Sequence, residues 1–219
     1  MDLPLSLTLF HYNLSADLSN VSLLEIGKVE EVFDFLKMHP LFNWSINHNF
    51  CDARAEAVSL VLTSAKIPHA KAWVMGAPFL QKGGVGGLKH YWNYHVAIAL
   101  PVLVKQNLAW MVVDPSTQEA PVLLSDWAAS ITDYPHSYHF IKPAELFIFP
   151  EKRPAFNRWV KRSNRNFKWT MQGMLGIHAL NQIGKAKLVF QKKRIQAFTK
   201  LFREELRNGG GFGRVLGGA

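Results

Sequence analysis

Residues Cys51–Ala65 read CDARAEAVSLVLTSA. The stretch holds neither Gly nor Pro, and the next breaker is Pro68. Ala53, Ala57, Val58, Val61 and Leu62 recur at helical spacing, so a helix is predicted to start at Cys51. The polar run Asn47-His48-Asn49-Phe50 before it reads as a loop. The only cysteine of the chain thus falls at a helix N-terminus. The positive end of the macrodipole there favours thiolate, which is the nucleophilic form. A lone cysteine also serves as a small buried hydrophobe, and position alone does not choose between the two.

Working outward, Ser22–His39 carries Leu24, Ile26, Val29, Val32, Phe33 and Leu36 at helical spacing, and Pro40 ends that helix. Leu3–Phe10 alternates loosely enough for a strand. Downstream of the Cys51 helix the period changes. Ala70–Met75, Tyr91–Val104 and Ala109–Val113 are β-branched and aromatic, and shorter strand candidates lie at Pro121–Leu124 and Leu146–Phe149. A helix followed by strands on short connections predicts an α+β fold, with the Cys-bearing helix packed on an antiparallel sheet. Gly83-Gly84-Val85-Gly86-Gly87 lacks a following Gly-Lys-Ser/Thr and precedes a strand, so it reads as a connecting loop or a lid and not as a phosphate loop.

Two further residues complete a chemical pattern. His95, in Trp92-Asn93-Tyr94-His95-Val96-Ala97, shares a strand face with Asn93 and Ala97. Asp114 ends the next strand, in Val113-Asp114-Pro115-Ser116, where a carboxylate can accept the Nδ1–H of a neighbouring imidazole. Taken singly, His95 serves as a core histidine and Asp114 as a turn opener. The order Cys at a helix start, His on a strand and Asp at the end of the next strand is one coherent geometry for nucleophile, base and orienting group. Trp92 and Tyr94 read as a wall of the cleft, with Tyr94 and Val96 also suited to the core face of the strand. Asn47 or Asn49 could offer a side-chain oxyanion donor, and Arg54 a pairing with a carboxylate that pins the helix.

These residues resemble the bacterial protein-glutaminase family. Its pattern of Cys-x-Ala-Arg-Ala, Trp-x-Tyr-His-Val-Ala and Ile-Asp-Pro-Ser is matched in order by Cys51-Asp52-Ala53-Arg54-Ala55, Trp92–Ala97 and Val113–Ser116. The likeness spans about residues 45–130. It implies a papain- or transglutaminase-like core with Cys51 as nucleophile, His95 as base and Asp114 as orienter. It implies hydrolysis of glutamine side-chain amides in a protein or peptide through a Cys thioester. The same triad also serves transamidases, cysteine peptidases and bacterial effector deamidases.

The composition bounds the setting. The chain has 219 residues, 48% of them hydrophobic, enough for a catalytic domain with an appendage. One cysteine rules out an internal disulfide and a Cys-based zinc cluster, and His136 with His139 lacks further ligands, so neither metal nor cofactor is called for. The net charge of +9 divides unevenly: residues 1–150 carry −4 and residues 151–219 carry +13. The expected organisation is a catalytic domain over 1–150, a basic helical extension over 151–208 and a flexible Gly-rich tail over 209–219. Lys185–Asn208 reads as an amphipathic helix with Leu188, Ile195, Phe198, Leu201, Phe202 and Leu206 on one stripe. That extension could pack on the core, meet an acidic protein or lie on an anionic membrane. A purely non-enzymatic membrane or nucleic-acid binding module would leave the triad order unexplained. The first lysine is Lys28, so a basic n-region is missing from the apolar start. The expectation is a cytoplasmic protein, or an effector exported without a Sec signal.

Overall fold

From Ala53 to Ser59 every residue of the Cys51 helix is buried, so the helix must be covered on every side, and the architecture is organised around it. The computed structural model describes residues 22–45, 50–80, 92–132, 135, 137–148, 159–183 and 192–209. At 76–80, 92–93, 147–148, 159–160 and 178–183 it describes the backbone alone. The expected strand at 3–10, the Gly83–Gly87 loop and the tail beyond Gly209 lie outside the described residues.

In chain order the elements are α1 (Ile26–Met38), α2 (Cys51–Ser64), β1 (Ala70–Leu80), β2 (Trp92–Val104), β3 (Asn107–Val113), β4 (Val122–Leu123) and α3 (Leu124–Ile131). They continue with β5 (Tyr138–Pro143), β6 (Leu146–Ile148), β7 (Trp159–Lys161), α4 (Asn164–Ile183) and α5 (Lys192–Arg207). Five strands form an antiparallel sheet in the order β4-β3-β2-β1-β5, and β6 pairs with β7 in a separate ladder. The α+β expectation holds. The sequence reading missed α3, α4, β5 and β7. It also started the first helix too early: Leu24 N–H bonds Pro101 O, which ties that residue to β2 before the helix begins.

The pleat of β2 sorts its side chains. Ile98, Leu100 and Val102 join the core built with α1, α2, α4 and α5. Ala97 and Ala99 face the other way, with Ala70 and Ala72 of β1, against Trp127, Ala128 and Ile131 of α3. The small alanines let the Trp127 helix approach closely. Both faces are covered, which is why β2 reads as an apolar run and not as an alternation.

The basic C-terminal half joins this core. Met171, Met174 and Ile177 of α4 and Phe198 and Phe202 of α5 are buried in the cluster that also contains Val29, Val58 and Ile98. The apolar stripe of α5 is narrower than expected: Leu201 is 57% exposed, while Ile195 and Leu206 pack against the cluster.

Polar residues around α2 set its rotation, because a buried polar group needs a partner. Asp52 accepts from Trp169 Nε1 of α4 at 3.2 Å. Arg54 donates to the carbonyls of Phe42 (3.2 Å) and Asn43 (3.3 Å) and lies over the Trp44 ring. These carbonyl oxygens pin it, and the Asp114 carboxylate acts on it through charge, in line with the carboxylate that the sequence reading expected. Glu56 is fully buried between Lys71 of β1 and Arg162, which follows β7. Ser59 meets His69 Nε2 at 2.9 Å and accepts from Arg162 at 2.8 Å.

Gly173 is where α4 crosses α2. A Cβ there would stand 2.4 Å from Ala53 Cβ and 3.3 Å from the Phe50 ring. Gly173→Ala is expected to cost roughly 1–3 kcal/mol through overpacking. Urea unfolding should show the Gly173→Ala/Ala53→Gly double variant more stable than the Gly173→Ala single.

Candidate active site

Cys51 is the first residue of α2, preceded by Phe50 in the left-handed conformation (φ 63°). That turn, with Arg54 N–H closing on Phe50 O at 3.0 Å, aims the chain into the helix at the sulfur. The thiol packs with Tyr94, Val96, Trp73 and Phe140 on the α2 side of the sheet. β3 ends at Val113, two residues short of pairing with Val96, and the Val96 N–H in that gap hydrogen-bonds the sulfur.

His95 is 1% exposed on the α3 side of β2, its ring 5.7 Å from that of Trp127. Its Nε2 bonds Asp114 Oδ2 at 2.8 Å. The expected Nδ1 contact is therefore replaced by Nε2: Asp114 lies beyond the end of β3, on the far side of the ring. Asp114 is itself buried and richly held. Trp127 Nε1 donates to Oδ2 at 3.0 Å, the Thr117 hydroxyl also donates to Oδ2, and Ser116 donates through its N–H (3.3 Å) and its hydroxyl to Oδ1. A narrow cavity at the end of β3 is lined by Cys51, His95 and Asp114 together with Trp44, Arg54 and Ser116. The three residues singled out in the sequence thus line one cavity.

The electrostatics differ from the sequence reading in one respect. Burial pushes the Cys51 thiol up to about 12, and the neighbouring Asp52 carboxylate pushes the same way. The Val96 N–H and Arg54 favour thiolate but are outweighed. Desolvation here exceeds what the helix start offers and favours the thiol. For Asp114, burial alone would raise the pKa; His95, Ser116 and Thr117 overcome it and hold the carboxyl below the usual range. Arg54 is lowered to about 10 by burial. Tyr94 is raised well above its ordinary value by burial and by Asp52 and Cys51, so its neutral hydroxyl belongs to the same environment.

Of the other candidates, Tyr94 is both a core residue, with its ring 5.5 Å from that of Trp73, and a neighbour of Cys51. Asn47 and Asn49 lie outside the described residues, as does the side chain of Trp92. His136 is likewise outside, and among the described residues no three metal-ligating side chains converge. Sequence reasoning missed Trp127, Thr117 and Trp169. For Thr117 a signal was present, since hydroxyls two and three residues after an Asp commonly close back on it. The two tryptophans come from helices that the sequence reading did not predict.

Residues 29–131, just under half of the chain, match the family model Gln_deamidase_2, described as glutaminase. Among solved structures, the protein-glutaminase from Chryseobacterium proteolyticum shares the fold with a TM-score of 0.55 at 15% identity, over 75% of this chain and 91% of that one. A crystal structure of protein-glutaminase gives a TM-score of 0.57 at 16% identity, over 74% and 91%. A pro-protein-glutaminase gives 0.58 at 15%, over 76% of this chain and 60% of that one. No curated protein matches in sequence.

The depressed pKa of Asp114 makes a pH prediction. A carboxylate that is more acidic folded than unfolded stabilises the fold above its unfolded value, near 3.8, and that stability is lost as pH falls through the lower folded value. Asp114→Asn is expected to cost about 2–4 kcal/mol at pH 7, because several buried donors lose their charged acceptor. Chemical denaturation between pH 7 and pH 2.5 should show a steeper acid loss for the wild type than for this variant.

Proposed function

We propose that the chain hydrolyses the side-chain amide of glutamine in a protein or peptide, with Cys51 as nucleophile, His95 as base and Asp114 as the residue that orients His95. The observation that carries this reading is the single cavity lined by Cys51, His95 and Asp114, with His95 bonded to the buried Asp114 carboxylate. His95 takes the Cys51 proton as the sulfur attacks the amide carbonyl carbon. Main-chain N–H groups at the start of α2 receive the developing oxyanion, a contribution of roughly 3–4 kcal/mol per donor. The tetrahedral species collapses to a thioester as His95 returns its proton to the departing ammonia. Water, deprotonated by the same His95, then opens the thioester, giving glutamate and the free thiol. The high resting pKa of the thiol makes this proton transfer part of the attack and not a step completed beforehand.

Asp114 keeps its charge throughout, since its surroundings hold it ionised. Its bond to Nε2 leaves Nδ1 as the nitrogen that exchanges protons with sulfur and ammonia. Tyr94 lines the approach to the sulfur in this reading.

Ammonia release from glutamine-containing peptides tests the proposal. Wild type is expected to release ammonia with a product about +1 Da heavier, the mass change of amide to acid. Cys51→Ala should reduce release to background, and Asp114→Asn should lower kcat by roughly 10²–10⁴-fold. A cleaved backbone or an amine-linked product would replace hydrolysis with peptidase or transamidase chemistry. Equal activity in wild type and Cys51→Ala would end the reading.

A further inference from the structure

Helices α4 and α5 enclose a groove of about 910 Å³ that shares no lining residue with the Cys51 cavity. Lys168 of α4 and Lys192, Lys200, Arg203 and Arg207 of α5 line it, with neither Asp nor Glu among the described lining residues. Its floor is apolar, made by Phe167 and Ile195. Arg203 lies over the Phe167 ring at 5.5 Å, which fixes one guanidinium against the groove. The acids of α5 point elsewhere: Glu205 meets His39 at 3.1 Å, on the α1 side. Five cations gathered around an apolar floor, with the acidic residues of the helix kept out, differ from the mixed charge of a merely solvated helix face.

We propose that this groove docks an acidic peptide segment of a partner protein, its carboxylates on the Lys and Arg rim and one apolar side chain on Phe167 and Ile195. The 16-residue α5 is about 24 Å long, which suits about seven residues of extended peptide. Charge complementarity selects the acidic ligand. Single-stranded nucleic acid stacks bases on open aromatic faces. Successive bases need several such platforms, and Phe167 is the one aromatic ring among the described lining residues. A membrane surface meets a protruding apolar face, whereas this floor is recessed. Helix α4 also holds Asp52 through Trp169, so the docked segment would rest on the helix that abuts the start of α2.

The test uses the full chain and a fluorescein-labelled ten-residue peptide of Asp and Glu with one central Leu. Fluorescence polarisation is expected to show saturable binding, weakened at least tenfold by Lys200→Glu/Arg203→Glu. The control Lys193→Glu/Arg194→Glu makes the same charge change on exposed residues of α5 that do not line the groove, and it should bind within twofold of wild type. Replacing the central Leu by Ser should weaken binding, because the floor then loses its occupant. Circular dichroism confirms folding, and the milder Lys200→Gln/Arg207→Gln supplies a second variant if the first does not fold. Absence of binding overturns the proposal, and so does equal weakening by the control pair. Tighter, Lys200- and Arg203-dependent binding of a single-stranded RNA or of phosphatidylserine vesicles also overturns it. These readouts do not depend on glutamine hydrolysis, so the docking reading and the catalytic one can fail separately.

Discussion

Helix α2 has no solvent face over most of its length, and each polar side chain in its first half has to be met inside the protein. Asp52, Glu56 and Ser59 recur at i, i+4 and i+7 along one face of the helix, and Arg54 points from the opposite side. Their partners are the Trp169 indole, two loop carbonyls, the Lys71 and Arg162 cations, and His69. A rotation or slide of the helix would strand several of these groups at once, at a cost of several kcal/mol for the charged ones. The position of the Cys51 sulfur is set by these contacts more than by anything at Cys51 itself.

The same constraint explains the placement of the basic C-terminal half. Gly173 lets α4 approach Ala53, Trp169 reaches Asp52, and Arg162 completes the charge balance of Glu56. Without these partners, Glu56 would face a single cation and Asp52 would lose a donor while already raised in pKa by burial. The segment that looks like an appendage in composition therefore supplies part of the cover of the Cys51 helix. Its cations divide between two tasks: Arg162 is turned inward to Glu56 and Ser59, while the rim of the α4–α5 groove faces outward.

Around the sulfur, desolvation opposes the chemistry that a nucleophile needs. A buried thiol beside Asp52 resists ionisation, so the proposed mechanism requires a base whose own orientation is secured. Asp114 provides that, and its charge is stable because His95 of β2, Ser116 and Thr117 of the following turn and Trp127 of α3 all donate to it. A buried carboxylate so surrounded remains ionised where an isolated one would take up a proton.

The identities and order of Cys51, His95 and Asp114 were legible in the amino-acid sequence, as were α1, α2 and the central strands. Those features depend on local periodicity and on residue types that few other roles require in that order. Which imidazole nitrogen faces Asp114 was not legible, because it depends on where β3 stops relative to β2. The resting state of the thiol was not legible either: the helix start favours thiolate locally, and only the packing of Tyr94, Trp73 and Phe140 shows that burial wins. Helices α3 and α4 escaped notice because their apolar residues are interleaved with polar ones whose partners lie far away in sequence, as Trp127 does from His95 and Trp169 from Asp52. The sequence by itself determined which groups are available for chemistry, since these are properties of residue type and local spacing. Their pKa values, their partners and the groove between α4 and α5 were decided by the tertiary structure, because burial and charge pairing arise only when distant segments meet.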